Sequence, residues 1–298
     1  MNGVLNVCKE KGYTSHDVVA HLRGICHQKK IGHTGTLDPD ATGVLPVCFG
    51  NATKLCDFLT DCFKTYEAKM LLGMETDTYD TSGVMLTNKG AAGVKEEAVR
   101  EAVLSFLPGY DQIPPMWSAK KVGGKKLYEL ARAGIEVERK SVPVKITELT
   151  ILAMDLPHVD FAVTCSKGTY IRSLIHDIGE KLGCGAVMEE LKRTSASGFA
   201  IADALKLDEI SDLMEEEKLE ERLIPTDKVL SAYPALHAKE EADRLLRNGN
   251  PVETSFVTES LKPEQAGLFR IYDSTGRFIG LYRLTNGGKR LKPDKMFL

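Results

Sequence analysis

The sequence predicts an α+β protein, with a sheet-rich main body flanked by helices and a small β-rich module at the C-terminal end. Three observations lead there. Apolar runs of strand character recur at 3–8, 44–47, 64–72, 142–154 and 159–165, and stretches of helical spacing lie between them. A chain of 298 residues is long enough for one large domain and an appendage. After about residue 230 an acidic, helix-forming stretch gives way to a paired-strand pattern. The expected domains are therefore 1–230 and 231–298. With 43% hydrophobic and 27% charged residues there is ample material for a core, which excludes wholesale disorder.

Gly3 to Cys8 is a short apolar strand. Ser15 is the expected N-cap of a helix from about His16 to Cys26, with Val18, Leu22 and Ile25 facing inward. Ser15-His16-Asp17 is no hydrolase triad, because neighbours at one helix end point apart and cannot relay a proton. The segment 29–50 is a compact turn rich in glycine, with Gly32, Gly35, Gly43 and Gly50 allowing backbone shapes closed to other residues. Pro39 pushes Asp38 out of the helical region, and the run Val44-Leu45-Pro46-Val47 reads as a buried strand. A carboxylate thus sits on a shaped loop held by a core strand, where catalytic residues tend to lie. Taken alone, an Asp-Pro pair is more often a surface turn.

Ala52 to Leu59 reads as a helix, and 64–72 as a strand with Tyr66, Ala68, Met70 and Leu72 on one face. The polar stretch Thr76 to Gly83 reads as a turn, since two carboxylates do not fill a calcium shell. Val94 to Leu107 predicts an amphipathic helix with Ala98, Ala102, Val103, Phe106 and Leu107 as its stripe, ended by Pro108-Gly109. Two strands, 142–154 and 159–165, precede a helix that closes at Gly183. Leu205 to Leu230 reads as an acidic connecting segment broken at Pro225. Beyond it come a short helix around Ala242, Leu245 and Leu246, then a hairpin pairing 268–272 with 278–282 across Asp273-Ser274-Thr275-Gly276.

Formal net charge is −3, which by itself suggests no nucleic-acid partner. The distribution does. Ser118 to Ile146 carries eight Lys or Arg against three Glu, while Leu207 to Arg222 carries eight Asp or Glu against two basic residues. In the basic stretch Lys120, Lys121, Lys125, Lys126 and Arg132 interleave with Trp117 and Tyr128, a pattern suited to RNA backbone and exposed bases; a solvated basic face is the alternative. Its Gly-Gly-Lys is not a phosphate-binding loop, lacking the leading glycine and the following Ser or Thr. The seven cysteines (8, 26, 48, 56, 62, 165 and 184) include no Cys-x-x-Cys, so buried reduced thiols are expected and a zinc site is not. No apolar run approaches the roughly 20 residues of a membrane span, and no secretory signal is visible, so a cytoplasmic protein without membrane contact is expected.

The stretch Gly32-His33-Thr34-Gly35-Thr36-Leu37-Asp38-Pro39-Asp40-Ala41-Thr42-Gly43-Val44-Leu45-Pro46 resembles the catalytic motif of the tRNA pseudouridine-55 synthases, the TruB family. Further motifs agree: Lys64-Thr65-Tyr66, the Thr76–Gly83 loop, the Ser118–Gly134 segment, and Ser166-Lys167-Gly168-Thr169-Tyr170-Ile171-Arg172. The resemblance implies a mixed, mainly antiparallel sheet core with a basic RNA-binding insertion at about 115–146, and a C-terminal module like the PUA domain. It implies isomerisation of one uridine in the T loop of tRNA to pseudouridine, with no cofactor, no metal and no obligatory protein partner. By it, Asp38 is the nucleophile, Arg172 pairs with it, Tyr66 stacks on the base and Tyr170 lines the uracil pocket. Leu191 packs on the base, His33 helps hold the opened loop, and Lys120, Lys121, Lys125, Lys126 and Arg132 contact the tRNA arm. Attack at C1′, attack at C6 and a glycal-type elimination all stay open. A non-catalytic tRNA-binding or tRNA-folding protein using the same groove is the alternative. Three positions depart from the family pattern: Glu10, where proline is usual, and Val187 and Ser197, where His and Gly are common. The last two are expected at the pocket rim.

Overall fold

The structure is a computed structural model that describes residues 1–261, 267–285 and 287–298. The chain opens with β1 (Gly3–Lys9), α1 (Ser15–Ile25), β2 (Ile31–His33) and β3 (Thr42–Phe49). A short helix α2 (Cys56–Thr60) leads into β4 (Lys64–Leu72). A side ribbon of β5 (Met74–Thr76) and β6 (Met85–Asn88) follows, then α3 (Glu96–Leu104) and β7 (Gly109–Gln112). The basic stretch forms a hairpin, β8 (Lys121–Val122) and β9 (Lys125–Lys126), and a helix α4 (Leu127–Arg132). The long strands β10 (Val142–Asp155) and β11 (His158–Cys165) come next, then α5 (Ile171–Leu182), β12 (Ala186–Ala196) and β13 (Phe199–Ala200).

One sheet runs β1-β3-β12-β4-β11-β10-β7, with β2 on β3 and β13 on β12. Every pairing in it is antiparallel except that of β3 with β12. This is the mixed, mainly antiparallel core that the resemblance implies. Strand β4 lies at its centre, and its alternation is realised: Tyr66, Ala68, Met70 and Leu72 are all buried. Their face packs on α5 through Leu174, Ile175 and Ile178 and on α3 through Val99, Ala102 and Val103. Each of the larger aliphatic side chains among them contributes roughly 1.5–3 kcal/mol by leaving water. Helix α5 stops at Gly183, whose left-handed backbone (φ 74°) suits a residue without Cβ.

Several expectations need correction. The N-cap of α1 is Thr14, one residue earlier than Ser15, in a reciprocal capping box with Asp17, and this frees Ser15 to turn inward. The stripe of α3 is Val99, Ala102 and Val103, with Phe106 buried just past the helix end; Ala98 and Leu107 are exposed, because 99 lies at helical spacing from both 102 and 103 and 98 only from 102. Residues 50–55 form a tight 3-10 turn before α2 begins, because the chain leaves β3 through Gly50 at φ 58°. Residues 205–230 do more than connect. They contain α6 (Leu207–Glu215) and α7 (Thr226–Val229), and Leu205, Leu207, Ile210, Leu219 and Leu223 share a core with Leu5, Val7, Val18 and Leu22. Their acidic residues lie outside that core. All seven cysteines are free, but Cys8, Cys56 and Cys62 are only half-buried.

A second sheet follows from β14 (Ala235–His237), through α8 (Asp243–Arg247), β15 (Val252–Glu253), β16 (Leu268–Tyr272), β17 (Phe278–Thr285) and β18 (Arg290–Met296), in the order β14-β16-β17-β18-β15. The hairpin β16–β17 turns at Asp273, whose carboxylate accepts from the amides of Thr275 and Arg277. Leu281 and Phe297 join Val4, Val44, Cys48 and Leu55 in one cluster, so this sheet rests on the large one. No helix among the described residues is long and apolar enough to cross a membrane.

Candidate active site

The loop between β2 and β3 is fastened at almost every residue. Leu37 and Ala41 are buried on either side of Asp38. The Leu37 amide donates to Ser15 Oγ (2.9 Å), the role for which Ser15 turns inward. Lys9, fully buried at the end of β1, donates from Nζ to the carbonyls of Pro39 and Glu10, both at 3.0 Å. Burial lowers its ammonium to about 8, against the pull of Asp38 and Asp40. Arg193 on β12 is also fully buried and spans the loop: Nη2 donates to Gly35 O (3.1 Å) and Nε to Val44 O (2.6 Å). A Cβ at Gly43 would stand 2.2 Å from the Arg193 carbonyl, so only glycine lets β3 and β12 meet there.

Asp38 itself is partly open, with 41% of its side chain exposed. Arg172, in the first turn of α5, reaches it with Nε 3.0 Å from Oδ2. The rest of that guanidinium is committed. Nη1 donates to Thr78 O and Nη2 to Trp117 O, each at 3.0 Å, and Nη1 lies 3.6 Å from Asp80 Oδ2. An arginine engaged on every nitrogen has little freedom to swing, so it fixes the carboxylate's direction. The pair lies where two cavities meet. One, of about 520 Å³, is walled by Tyr66, Tyr170, Leu191, Gln112 and Lys120, among others. The other, of about 620 Å³, is reached past Asp38, Arg172 and Leu191, and is walled further by Trp117, Arg132 and Asp80. The phenols of Tyr66 and Tyr170 are both pushed up by burial, so both rings stay protonated in the neutral range.

The structure thus brings together Asp38, Tyr66, Tyr170, Arg172 and Leu191, with Lys120 and Arg132 at the walls. Lys121, Lys125 and Lys126 sit on the neighbouring hairpin, where Lys126 and Arg132 flank the Tyr128 ring at 5.3 and 5.4 Å. His33 is set apart from the cleft wall. It ends β2, meets the His16 ring edge-on at 5.4 Å, and its Nδ1 is buried without a partner among the described residues. Burial, with the charge of His16 and Arg193 behind it, lowers its pKa to about 4. The unfolded chain takes up this proton near 6.5, so between pH 6.5 and 4 it binds more protons than the folded one, and stability falls as pH falls through that window. His33→Gln is expected to flatten the acid limb of a curve of unfolding free energy against pH by roughly 2 kcal/mol after allowance for partial exposure. Superimposable curves would refute this.

Sequence reasoning missed Lys9, Ser15, Asp80, Gln112 and Arg193 as site residues. Lys9 left one signal, a cation at the end of an apolar strand pattern, whereas Arg193 stands in a polar stretch and left none. The rim placement of Val187 and Ser197 is also corrected. Val187 is fully buried in β12, opposite Leu71. Ser197 lies in the turn after β12 at φ 56°, with Oγ donating to Leu59 O (2.6 Å). The left-handed backbone accounts for a site where glycine is at home, and the hydroxyl's bond offsets the strain.

A carboxylate held by a buried arginine where two cavities meet, on this mixed sheet, is the arrangement the motif resemblance implied, and the comparisons place the chain among the pseudouridine synthases. The model described as TruB family pseudouridylate synthase (N terminal domain) matches residues 23–171. The tRNA pseudouridylate synthase B C-terminal domain matches 172–231, and the Pseudouridine synthase II TruB C-terminal model matches 234–297. The chain is 46% identical over 291 residues to the tRNA pseudouridine synthase B of Clostridium tetani, covering 98% of each. It is 49% identical over 308 residues to that of Lachnoclostridium phytofermentans, covering all of both. Among solved structures, a chain of a Cbf5-Nop10-Gar1 complex superposes with a TM-score of 0.75 at 27% identity, over 99% of this chain and 85% of that one. The chain belongs to the TruB family of pseudouridine synthases.

Proposed function

We propose that the protein converts the uridine at position 55, in the T loop of tRNA, to pseudouridine, with Asp38 as the nucleophile. In this reading the target nucleotide swings out of its loop into the smaller cavity, at a cost of a few kcal/mol. Stacking on Tyr66 and Tyr170 offsets much of it, at about 1–3 kcal/mol for the base. Leu191 packs on the base, and His33 acts from behind the loop rather than from the wall. The N1–C1′ bond breaks, the uracil turns, and C5 bonds to C1′ while N1 takes a proton and C5 loses one. Asp38 meets the nucleotide as a carboxylate, and Arg172 holds it at the approach angle. What supports this most is the Asp38–Arg172 contact at 3.0 Å, placed where the two cavities meet.

In the same reading residues 1–230 carry the chemistry. Residues 231–298 add RNA contact as a PUA-like module, and the enzyme works in the cytoplasm. Lys120, Lys121, Lys125, Lys126 and Arg132 hold the phosphates of the T arm. The test is to incubate the protein with a T-arm stem-loop and measure pseudouridine at the target position. Binding without conversion would favour a tRNA-folding role over catalysis. The basic insertion makes a separate prediction. Affinity for the stem-loop should fall steeply with salt, and replacing the four lysines with glutamine should lower the log–log salt slope by about three. An unchanged slope would remove the insertion from the interface.

A further inference from the structure

Gln112 is the last residue of β7 and is only 1% exposed, yet its polar end is fully used. Nε2 donates to Tyr170 O at 3.0 Å, and Oε1 accepts from Tyr170 N at 2.8 Å. One side-chain amide therefore pairs with both main-chain groups of one residue, as a neighbouring strand would. Nε2 also donates to Tyr110 Oη (2.7 Å), and Tyr110 donates to Asp177 Oδ2 on α5 (2.7 Å). Burial pushes the Tyr110 phenol up, which keeps it the donor in that contact. From the other side, Ser173 Oγ donates to Ile113 O at 3.0 Å. The start of α5 is thus docked on the end of β7 through both partners' side chains.

That turn is the part of α5 that reaches the cleft. Tyr170 stands at its N-cap without any side-chain cap of its own, and Arg172 lies two residues on. A helix start unsupported by a cap is prone to fray. Here fraying would move a wall of the cleft and the guanidinium on Asp38 together. We infer that Gln112 is a positioning residue for the reaction: its amide clamps the Tyr170 main chain, which keeps the Tyr170 ring on the cleft wall and Arg172 against Asp38. This rests on the isomerase reading above. Gln112 touches no reacting atom in this role. Its effect passes through Tyr170 and Arg172.

The test uses Gln112→Met, which keeps the shape and loses the donors and the acceptor, and Gln112→Glu, which keeps the acceptor and has a donor only when protonated. Four quantities are measured: single-turnover pseudouridine formation, stem-loop affinity, melting temperature, and the 19F resonance of Tyr170 in fluorotyrosine-labelled protein, assigned by its loss in Tyr170→Phe. Gln112→Met is expected to slow the chemical step at least ten-fold, to leave affinity within about two-fold, and to shift or broaden the Tyr170 resonance. The rate of Gln112→Glu relative to wild type should recover as pH falls, while that of Gln112→Met stays flat with pH. A merely structural contact would lower the melting temperature without this pH response. An unmoved Tyr170 resonance, or a Gln112→Met rate within two-fold of wild type, overturns the inference. Wild-type protein that forms no pseudouridine overturns the isomerase reading instead, and the Tyr170 resonance then still decides whether Gln112 clamps that residue.

Discussion

Asp38→Asn is expected to lower pseudouridine formation by about four orders of magnitude or more, the scale seen when a covalent nucleophile is removed. The substitution keeps the size and shape of the side chain and removes only its charge. The fold should tolerate it, because the position is 41% exposed and its loop is fastened by Lys9, Ser15 and Arg193 rather than by the carboxylate. Arg172 is not orphaned either. It keeps the Thr78 and Trp117 carbonyls and the Asp80 carboxylate, and an asparagine oxygen can still accept from Nε. The variant should therefore melt within about 2 °C of wild type and bind the stem-loop with near-normal affinity. Single-turnover rates with excess enzyme, alongside a melting curve, check this. Turnover above one percent of wild type would take the nucleophile's role away from Asp38.

How much of this was legible beforehand depends on the range of the interaction. The Asp38 loop was legible because glycine and proline write their backbone consequences locally, and β4 because alternation at 66, 68, 70 and 72 is a short-range pattern. The helix ending at Gly183 was legible for the same reason. The fastening of the site was not. Ser15 looked like a cap because Thr14 and Ser15 offer the same hydroxyl chemistry one residue apart, and only the packing of Leu37 shows which one turns inward. Gln112 meets Tyr170 across 58 residues, and Arg193 meets Gly35 across 158, by bonds from a side chain to main-chain atoms. Such bonds impose no periodicity and need no special partner residue. The family motifs name the residues at the cleft, whereas the amides, lysine and arginine behind them emerge only once the sheet order is known.

Arg172 should behave in the opposite way to Asp38, losing stability as well as rate. It is 7% exposed and satisfies two main-chain carbonyls and two carboxylates at once. Arg172→Met fills most of the volume but leaves both carbonyls without a donor and Asp80 without its cation in a half-closed site. Breaking a fully buried pair from one side costs about 3–5 kcal/mol, and solvent screening of Asp38, 41% exposed, brings the expected loss here to about 2–3 kcal/mol. A lysine restores charge, but its point-like ammonium cannot serve acceptors spread around a planar guanidinium, so Arg172→Lys should recover only part of the stability. Both variants should slow the chemical step by at least about a hundred-fold, since a carboxylate free to turn loses its approach angle. The two residues can be separated by a cycle. If Arg172 works through Asp38, then Arg172→Met still adds the stability loss that comes from the Thr78 and Trp117 carbonyls and Asp80 to Asp38→Asn, but almost no further loss of rate. Urea denaturation and single-turnover assays on the four proteins read both quantities. Additive rate losses, or an Arg172→Met protein as stable as wild type, would mean that the guanidinium serves the cleft in some way other than holding this carboxylate.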